Sequence, residues 1–269
     1  MKKFFLFKYF PQKSLGQHFL HDKKIVKKIV DFIHPNYNDF LVEIGPGLAA
    51  LTDPICALVK HLSVIEIDMK LLLLLKKFNF YKKLFIYKSN VLNFNFKNLF
   101  IKHNKLLRIF GNIPYNISVP LILKLLYCSE FIYDINFMVQ KEVANRLTAE
   151  PGDKSYGRLS IITQCYYDIS IGFNILPESF FPIPKVDSSF IRMVPKIIPL
   201  YPLNKISNLE KITFLAFKTR RKILKNNFSK ILHKDDFLKL NINSHLRAEN
   251  LSIKEYCNLS DYLLNHSVK

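Results

Sequence analysis

A chain of 269 residues exceeds a typical single domain and can bury a sizeable core, so one large domain with a smaller one is the expected organisation. Hydrophobic residues make up 49% of it, which excludes a disordered chain. The 40 Lys and Arg against 21 Asp and Glu leave a charge of +19, which favours a polyanionic partner through counterion release. Part of that excess has a blander source, because many Lys and Phe beside 7 Gly and no Trp is the composition that AT-rich codons produce.

Residues 1–10 carry the lysines and phenylalanines of a crude signal peptide, but Lys8 interrupts the apolar run and no small-residue cleavage site follows. The expected address is the cytoplasm. In the segment 13–22, Gly16 marks a turn and Asp22 is a suitable N-cap for an amphipathic helix over 23–30. His18 taken alone reads as a structural histidine. None of the eight His residues sits in an HExxH-like pattern, and Cys56, Cys128, Cys165 and Cys257 are too far apart in sequence for a zinc pair or a CxxC motif, so no metal site is expected.

Residues 40–44 read as a buried parallel strand running into Gly45-Pro46-Gly47, with Thr52 capping the next helix. As a dinucleotide fingerprint the turn is incomplete, since Ala49-Ala50 follow where a third glycine is wanted. A second strand, 63–68, strengthens it by placing Glu66 19 positions after Gly47, where a carboxylate accepts hydrogen bonds from ribose hydroxyls. After a helix over 69–77 and a strand over 84–88 comes Asn90, which either reaches an adenine edge of a bound cofactor or is a plain turn residue. The leucine run 71–75 is far too short to span a bilayer.

The stretch Gly111-Asn112-Ile113-Pro114-Tyr115-Asn116-Ile117-Ser118 follows a strand over 106–110 and precedes a helix over 119–126 with Pro120 in its first turn. An exocyclic adenine amine is a poor nucleophile because its lone pair is delocalised into the ring. Two acceptors aimed at its hydrogens favour the pyramidal nitrogen. Asn112 can supply one and the backbone carbonyl before Pro114 the other, since proline fixes the local geometry and Ile113 is held extended. Tyr115 can stack on the base. The competing reading is an ordinary Asn-Pro turn with a core tyrosine.

A strand over 135–140 and a helix over 141–150 carrying Arg146 come next. A loop over 151–158 ending in Arg158 suits the rim of a nucleic-acid cleft, and 164–175 and 187–194 read as two antiparallel edge strands. Between them, Pro182 and Pro184 stiffen a loop that can present Phe180 as a second stacking face, unless Phe180 is one more core phenylalanine among 24. The alternation of strands and helices defines an α/β parallel sheet with helices on both faces. From residue 197 a small all-helical domain is expected, with helices over 209–217, 220–232 and 252–264, the last opened by the capping box Ser252-Ile253-Lys254-Glu255. Lys218, Arg220, Arg221 and Lys222 either follow phosphates or form a solvated basic face.

Taken together, residues 41–47, 64–68, 111–118, 140–146, 156–160, 180–188, 216–222 and 247–252 resemble the bacterial small-subunit rRNA adenine N6-dimethyltransferases over nearly the whole chain. The resemblance implies a Rossmann-like methyltransferase domain over 1–196 and a helical RNA-binding domain over 197–269. It implies S-adenosylmethionine as cofactor, and N6-dimethylation of two adjacent adenosines in a hairpin loop near the 3′ end of 16S rRNA, within the small ribosomal subunit. It also implies site residues. His18, Leu20, Gly45, Glu66, Asn90 and Asn112 would hold the cofactor, and Asn112, Ile113, Pro114, Tyr115 and Phe180 would form the target-base pocket. Arg146, Arg158, Lys218, Arg220, Arg221 and Lys222 would bind RNA. A monomer with no membrane partner is expected. Two departures stand out: Asn90 occupies a position where the family commonly has aspartate, and Ala49 replaces a glycine. Other readings are an RNA-binding assembly factor with weak or lost methylation, or an N6-adenine methyltransferase of large-subunit rRNA or DNA.

Overall fold

The computed structural model describes residues 9–266. Residues 1–8, most of the signal-peptide-like stretch, lie outside the described residues, as do 267–269. The chain divides into two compact units, 1–144 with 170–195 and 145–169 with 196–269.

In the first unit β1 (Phe19–Leu20) precedes α1 (Lys23–Ile33), which opens on Asp22, whose carboxylate accepts from the amides of Lys24 and Ile25 at 2.8 and 3.4 Å. The expected N-cap is therefore present. Strand β2 (Phe40–Ile44), helix α2 (Thr52–Leu58), β3 (Leu62–Glu66), α3 (Met69–Leu75) and β4 (Leu84–Lys88) follow. Then come α4 (Phe96–His103), β5 (Leu107–Asn112), α5 (Tyr115–Leu126), β6 (Ile132–Gln140) and α6 (Lys141–Thr148). Helix α5 begins four residues earlier than its apolar spacing suggests, because Pro114 supplies the cap, so Pro120 lies inside the helix rather than in its first turn.

Strands β2, β3 and β5 are buried on both faces, as a covered parallel sheet requires. The sheet order is β4-β3-β2-β5-β6-β9-β7, with β7 at Tyr167–Ile175 and β9 at Ser188–Pro195. The first five strands are parallel and β9 runs antiparallel to β6. From β2 the chain steps outward through β3 to β4, then returns to β5 and steps the other way. Right-handed crossovers therefore place the two sets of helices on opposite faces and open a crevice between the ends of β2 and β5. A two-residue strand β8 (Phe180–Phe181) pairs with β1 outside the main sheet.

The far end of the sheet is closed by charge. Arg108 donates to both oxygens of Asp134 at 3.0 and 2.9 Å, to Asp39 at 2.5 Å and to the carbonyls of Ile33 and His34 at 2.6 and 3.2 Å. All five guanidinium hydrogens are engaged, which anchors the start of β5 and leaves its other end to the crevice.

The second unit differs from expectation in its bounds. Segment 145–169 clusters with the tail, not with the rest of 1–196, because α7 (Arg158–Gln164) packs on α8 (Ile206–Phe217) and on α11 (Ile253–His266). Gln164, expected to open a strand, ends α7 and donates to the carbonyls of Leu147 and Ala149. Between α8 and α11 lie α9 (Leu224–Asn227) and α10 (Lys234–Lys239). The expected helix over 220–232 is mostly turn. Leu224 and Lys225 give their amides to the carbonyls of Leu246 and Ser244, and Ile223 bridges Arg247, so the backbone bonds of a long helix are spent elsewhere. The Ser252/Glu255 capping box is present, with amide-to-side-chain distances of 2.7 and 3.2 Å.

Candidate active site

The crevice at the strand-order reversal opens into a pocket walled by residues 14–20, the glycine turn, Glu66, Asn90 and residues 112–117. Gly45 and Gly47 adopt φ of +67° and +55°, a left-handed conformation that few side chains tolerate. A Cβ on Gly45 would point into open space, whereas one on Gly47 would meet the Phe19 ring at 3.0 Å. The turn thus exposes bare backbone to a ligand and is braced from behind. Ala49 also lies at φ +62°, so this departure from the family is a left-handed alanine with a roughly 1–2 kcal/mol backbone cost, at a fully buried position.

Two buried carboxylates face this turn. Glu66 Oε1 accepts from the amides of Ile67 and Asp68, both at 2.8 Å, which fixes the side chain, and burial raises its pKa. Glu43 is 2% exposed, its Oε2 meets no hydrogen-bond partner, and burial pushes its pKa up to about 8, with the charge of Glu66 adding to the rise. Glu43 is not among the residues expected at the site. Its signal was a lone carboxylate in the apolar run of β2, two residues before Gly45. Asn90 is exposed at the rim. Its Oδ1 accepts from the amide of Leu92 at 2.9 Å, so the group left for a ligand is the Nδ2 donor.

At the end of β5, Asn112 donates Nδ2 to the His18 carbonyl at 2.6 Å. A carbonyl can only accept, so the amide orientation is determined and Oδ1 is the atom left to accept. Pro114, at φ −53°, leads into α5, and Ile113 is 1% exposed. The Tyr115 hydroxyl lies 2.7 Å from Ser188 Oγ, and its ring stacks on His18 with centroids 5.6 Å apart and planes 23° apart. His18 is itself held by Nδ1 donating to the Pro182 carbonyl at 2.7 Å. Ser188, Ser14, Leu15 and Gln17 were likewise not expected at the site from sequence, because their roles arise from contacts with distant segments.

Nine of the expected residues thus surround one pocket: His18, Leu20, Gly45, Glu66, Asn90, Asn112, Ile113, Pro114 and Tyr115. Phe180 does not join them. It has no exposed surface and packs in the main core with Leu20, Ile29 and Phe190, because its register partner is Leu20 on the inward side of the β1–β8 ribbon. The core-phenylalanine alternative is the one the structure supports.

In the second unit Arg158 is exposed, its guanidinium 5.1 Å above the Phe214 ring, and Arg146 lies half-buried on the last turn of α6. Lys218, Arg221 and Lys222 are exposed on the turn after α8. Arg220, also exposed, donates to Glu249 at 3.0 Å and to the carbonyls of Lys154 and Tyr156, so it braces the 151–158 loop. Tyr156, expected on an exposed rim, is fully buried and donates to the Leu251 carbonyl at 3.0 Å. Cys165 and Cys257, remote in sequence, bring their sulfurs within 3.9 Å. Among the described residues no group of three or more His, Cys, Asp or Glu could hold a metal ion, and no helix is long and apolar enough to cross a membrane.

A mostly parallel sheet with a glycine turn, an acidic residue ending the next strand and a pocket at the switch point defines a Rossmann-like, S-adenosylmethionine-dependent methyltransferase. The pocket suits that cofactor: Gly45 leaves a cradle that a Cβ would fill, Glu66 offers a fixed carboxylate for a ribose, and Oε2 of the buried Glu43 has no hydrogen-bond partner. The profile described as "Ribosomal RNA adenine dimethylase" matches residues 11–265, and the chain belongs to that family. It is 52% identical to the "Ribosomal RNA small subunit methyltransferase A" of Buchnera aphidicola subsp. Schizaphis graminum, over 97% of this chain and 95% of that one. It is 42% identical to the protein of the same name from Erwinia tasmaniensis, over 96% and 95%. Among solved structures, a dimethyladenosine transferase from Plasmodium falciparum is similar with a TM-score of 0.75 at 25% identity, covering 92% of this chain and 97% of that one. The 23S rRNA methyltransferase ErmE shares the fold, with a TM-score of 0.69 at 19% identity and coverage of 91% and 99%.

Proposed function

We propose that this protein transfers two methyl groups to N6 of each of two adjacent adenosines in the hairpin loop near the 3′ end of 16S rRNA, acting on the small ribosomal subunit in the cytoplasm as a monomer. The observation that carries the reading is the fixed orientation of Asn112, whose Oδ1 is left to accept beside the Tyr115 ring. His18, Leu20, Gly45, Glu66, Asn90 and Asn112 hold S-adenosylmethionine, which when bound supplies an electrophilic methyl group. Asn112 Oδ1 and the Ile113 carbonyl accept from the two hydrogens of the target amine and favour its pyramidal, nucleophilic form. Tyr115 holds the base by stacking, a contact worth about 1–3 kcal/mol, and Ser188 fixes the Tyr115 hydroxyl. Orientation and fixed dipoles carry the catalysis, because the amine becomes acidic once alkylated and needs no strong base. The target adenosine leaves its stack to reach the pocket, at a cost of a few kcal/mol. Arg146, Arg158, Lys218, Arg221 and Lys222 supply phosphate contacts.

The test is incubation with labelled S-adenosylmethionine and unmethylated small subunits, with Asn112→Ala as control and nucleosides identified by mass spectrometry. Dimethyladenosine at two adjacent loop positions, absent with the variant, is the expected result. Tight subunit binding without transfer would leave an assembly factor in its place.

A further inference from the structure

One wall of the cofactor pocket belongs to no strand or helix of the core. Residues 14–18 run along it, opening within a single 3-10 turn at Lys13–Leu15. This strap is fastened at both ends. Downstream, the His18 carbonyl accepts from Asn112 and β1 pairs with β8. Upstream, everything converges on one oxygen. Asp68 Oδ2 accepts from the Tyr9 hydroxyl at 2.5 Å, from Gln12 Nε2 at 2.7 Å and, more loosely, from Gln17 Nε2 at 3.4 Å. Gln17 Oε1 in turn accepts from the Gln12 amide at 2.9 Å.

The post of this latch is rigid. Asp68 is 6% exposed, and its other oxygen caps α3 by accepting from the Lys70 amide at 2.8 Å. The part that it holds is lightly built. Tyr9 meets Phe19 edge to face with centroids 5.7 Å apart, in a small apolar cluster with Leu48, Leu71 and Leu74 that is separate from the main core. Releasing the three bonds on Asp68 therefore frees residues 9–17 without opening the sheet. Tyr9, Gln12 and Asp68 do not line the pocket, whereas Gly16 in the strap sits against Pro114 and Asn116.

We infer that residues 9–17 are a gate over the cofactor pocket, latched by Tyr9 and Gln12 on Asp68, and that the cofactor enters and its demethylated product leaves by opening it. Tyr9, Gln12 and Asp68 are positioning residues in this scheme. The consequence for RNA rests on the proposed dimethylation. Two methyl groups on each of two adenosines consume four cofactor molecules, so a gate whose latch lies apart from the pocket lets cofactor exchange while the RNA stays in place.

Gating has a kinetic signature that a simple contact lacks. A latch closed with and without ligand slows entry and exit alike, so weakening it accelerates both and leaves affinity nearly unchanged. The experiment measures association and dissociation rates of S-adenosylmethionine with the full-length protein by surface plasmon resonance, without RNA, for wild type, Tyr9→Phe and Gln12→Met. Tyr9→Phe removes the hydroxyl that meets both the Asp68 carboxylate and Gln17 Oε1, and both rates are expected to rise about tenfold with Kd changing less than about threefold. Gln12→Met, at a half-buried position, should act in the same direction and guards against a folding defect in the first variant. Unchanged rates in both variants would overturn the gate. So would faster dissociation alone with Kd weakened in proportion, which marks residues that only touch the bound state. Because no RNA is present, failure of the methylation reading leaves this result standing, and the reverse also holds.

Discussion

The Asn112 side-chain amide donates to the His18 backbone carbonyl at 2.6 Å, joining the end of the central strand to a segment 94 residues earlier. That bond determines which atom of Asn112 accepts. Asn112→Asp keeps an acceptor oxygen but sets a carboxylate against the carbonyl, so the side chain must turn away. The expected outcome is a fall in kcat of about 10²-fold or more, comparable to losing one fixed dipole at a reacting centre. Single-turnover methylation checks it, and near-wild-type kcat would show that the orientation imposed by His18 is not used.

Glu43 gives a pH dependence of defined sign. Its folded pKa of about 8 lies above the ordinary carboxylate value of 4.5, so the protonated form is favoured in the fold. Stability from this group is complete below the unfolded value and is lost as pH rises towards the folded one. Between about pH 5 and pH 8 the ligand-free wild type should lose stability relative to Glu43→Gln by up to roughly 1.4 kcal/mol per pH unit. Urea melts of both proteins across that range give the comparison. Parallel curves would mean that Glu43 is charged in the fold.

Asn90 spends its Oδ1 on the Leu92 amide and presents only a donor. Aspartate caps equally well and has a second acceptor oxygen to spare. Asn90→Asp should therefore tighten S-adenosylmethionine binding by about tenfold if the adenine amine is its partner. Calorimetric titration measures this directly, and an unchanged Kd would remove Asn90 from the cofactor site.

Phe180 is predicted to matter for folding rather than for RNA. Phe180→Ala should cost about 3–5 kcal/mol of stability, as for other fully buried aromatics. Phe180→Leu should cost less and leave KM for the subunit unaltered at temperatures where the protein is folded. A raised KM with full stability would return Phe180 to the base pocket.

Much of the site was legible because its chemistry is local. The turn at Gly45 and Gly47, the acidic end of β3 and the run from Asn112 to Tyr115 each place a functional group by its own backbone geometry. Helix α1 and the Ser252 cap were equally legible, since capping involves neighbours two or three residues apart. What could not be read depended on tertiary pairing. Phe180 and Phe181 are adjacent aromatics, and only the register with β1 turns the first inward and leaves the second exposed. Arg220 and Arg221 form an equivalent pair in sequence, yet the first is consumed by Glu249 and two carbonyls. The expected 220–232 helix failed for a related reason, its backbone groups being claimed by residues 244–247.

The ladder between β1 and β8 has two rungs and joins residues 19–20 to 180–181. Its smallness hides its reach. Removing the first twenty residues, a cut that sequence position alone would class as trimming an end, deletes one wall of the pocket, the brace behind Gly47, the partner that orients Asn112 and the strand that keeps Phe180 indoors. In this protein residues 14–20 are interior architecture. A truncation that reaches them acts as an active-site mutation.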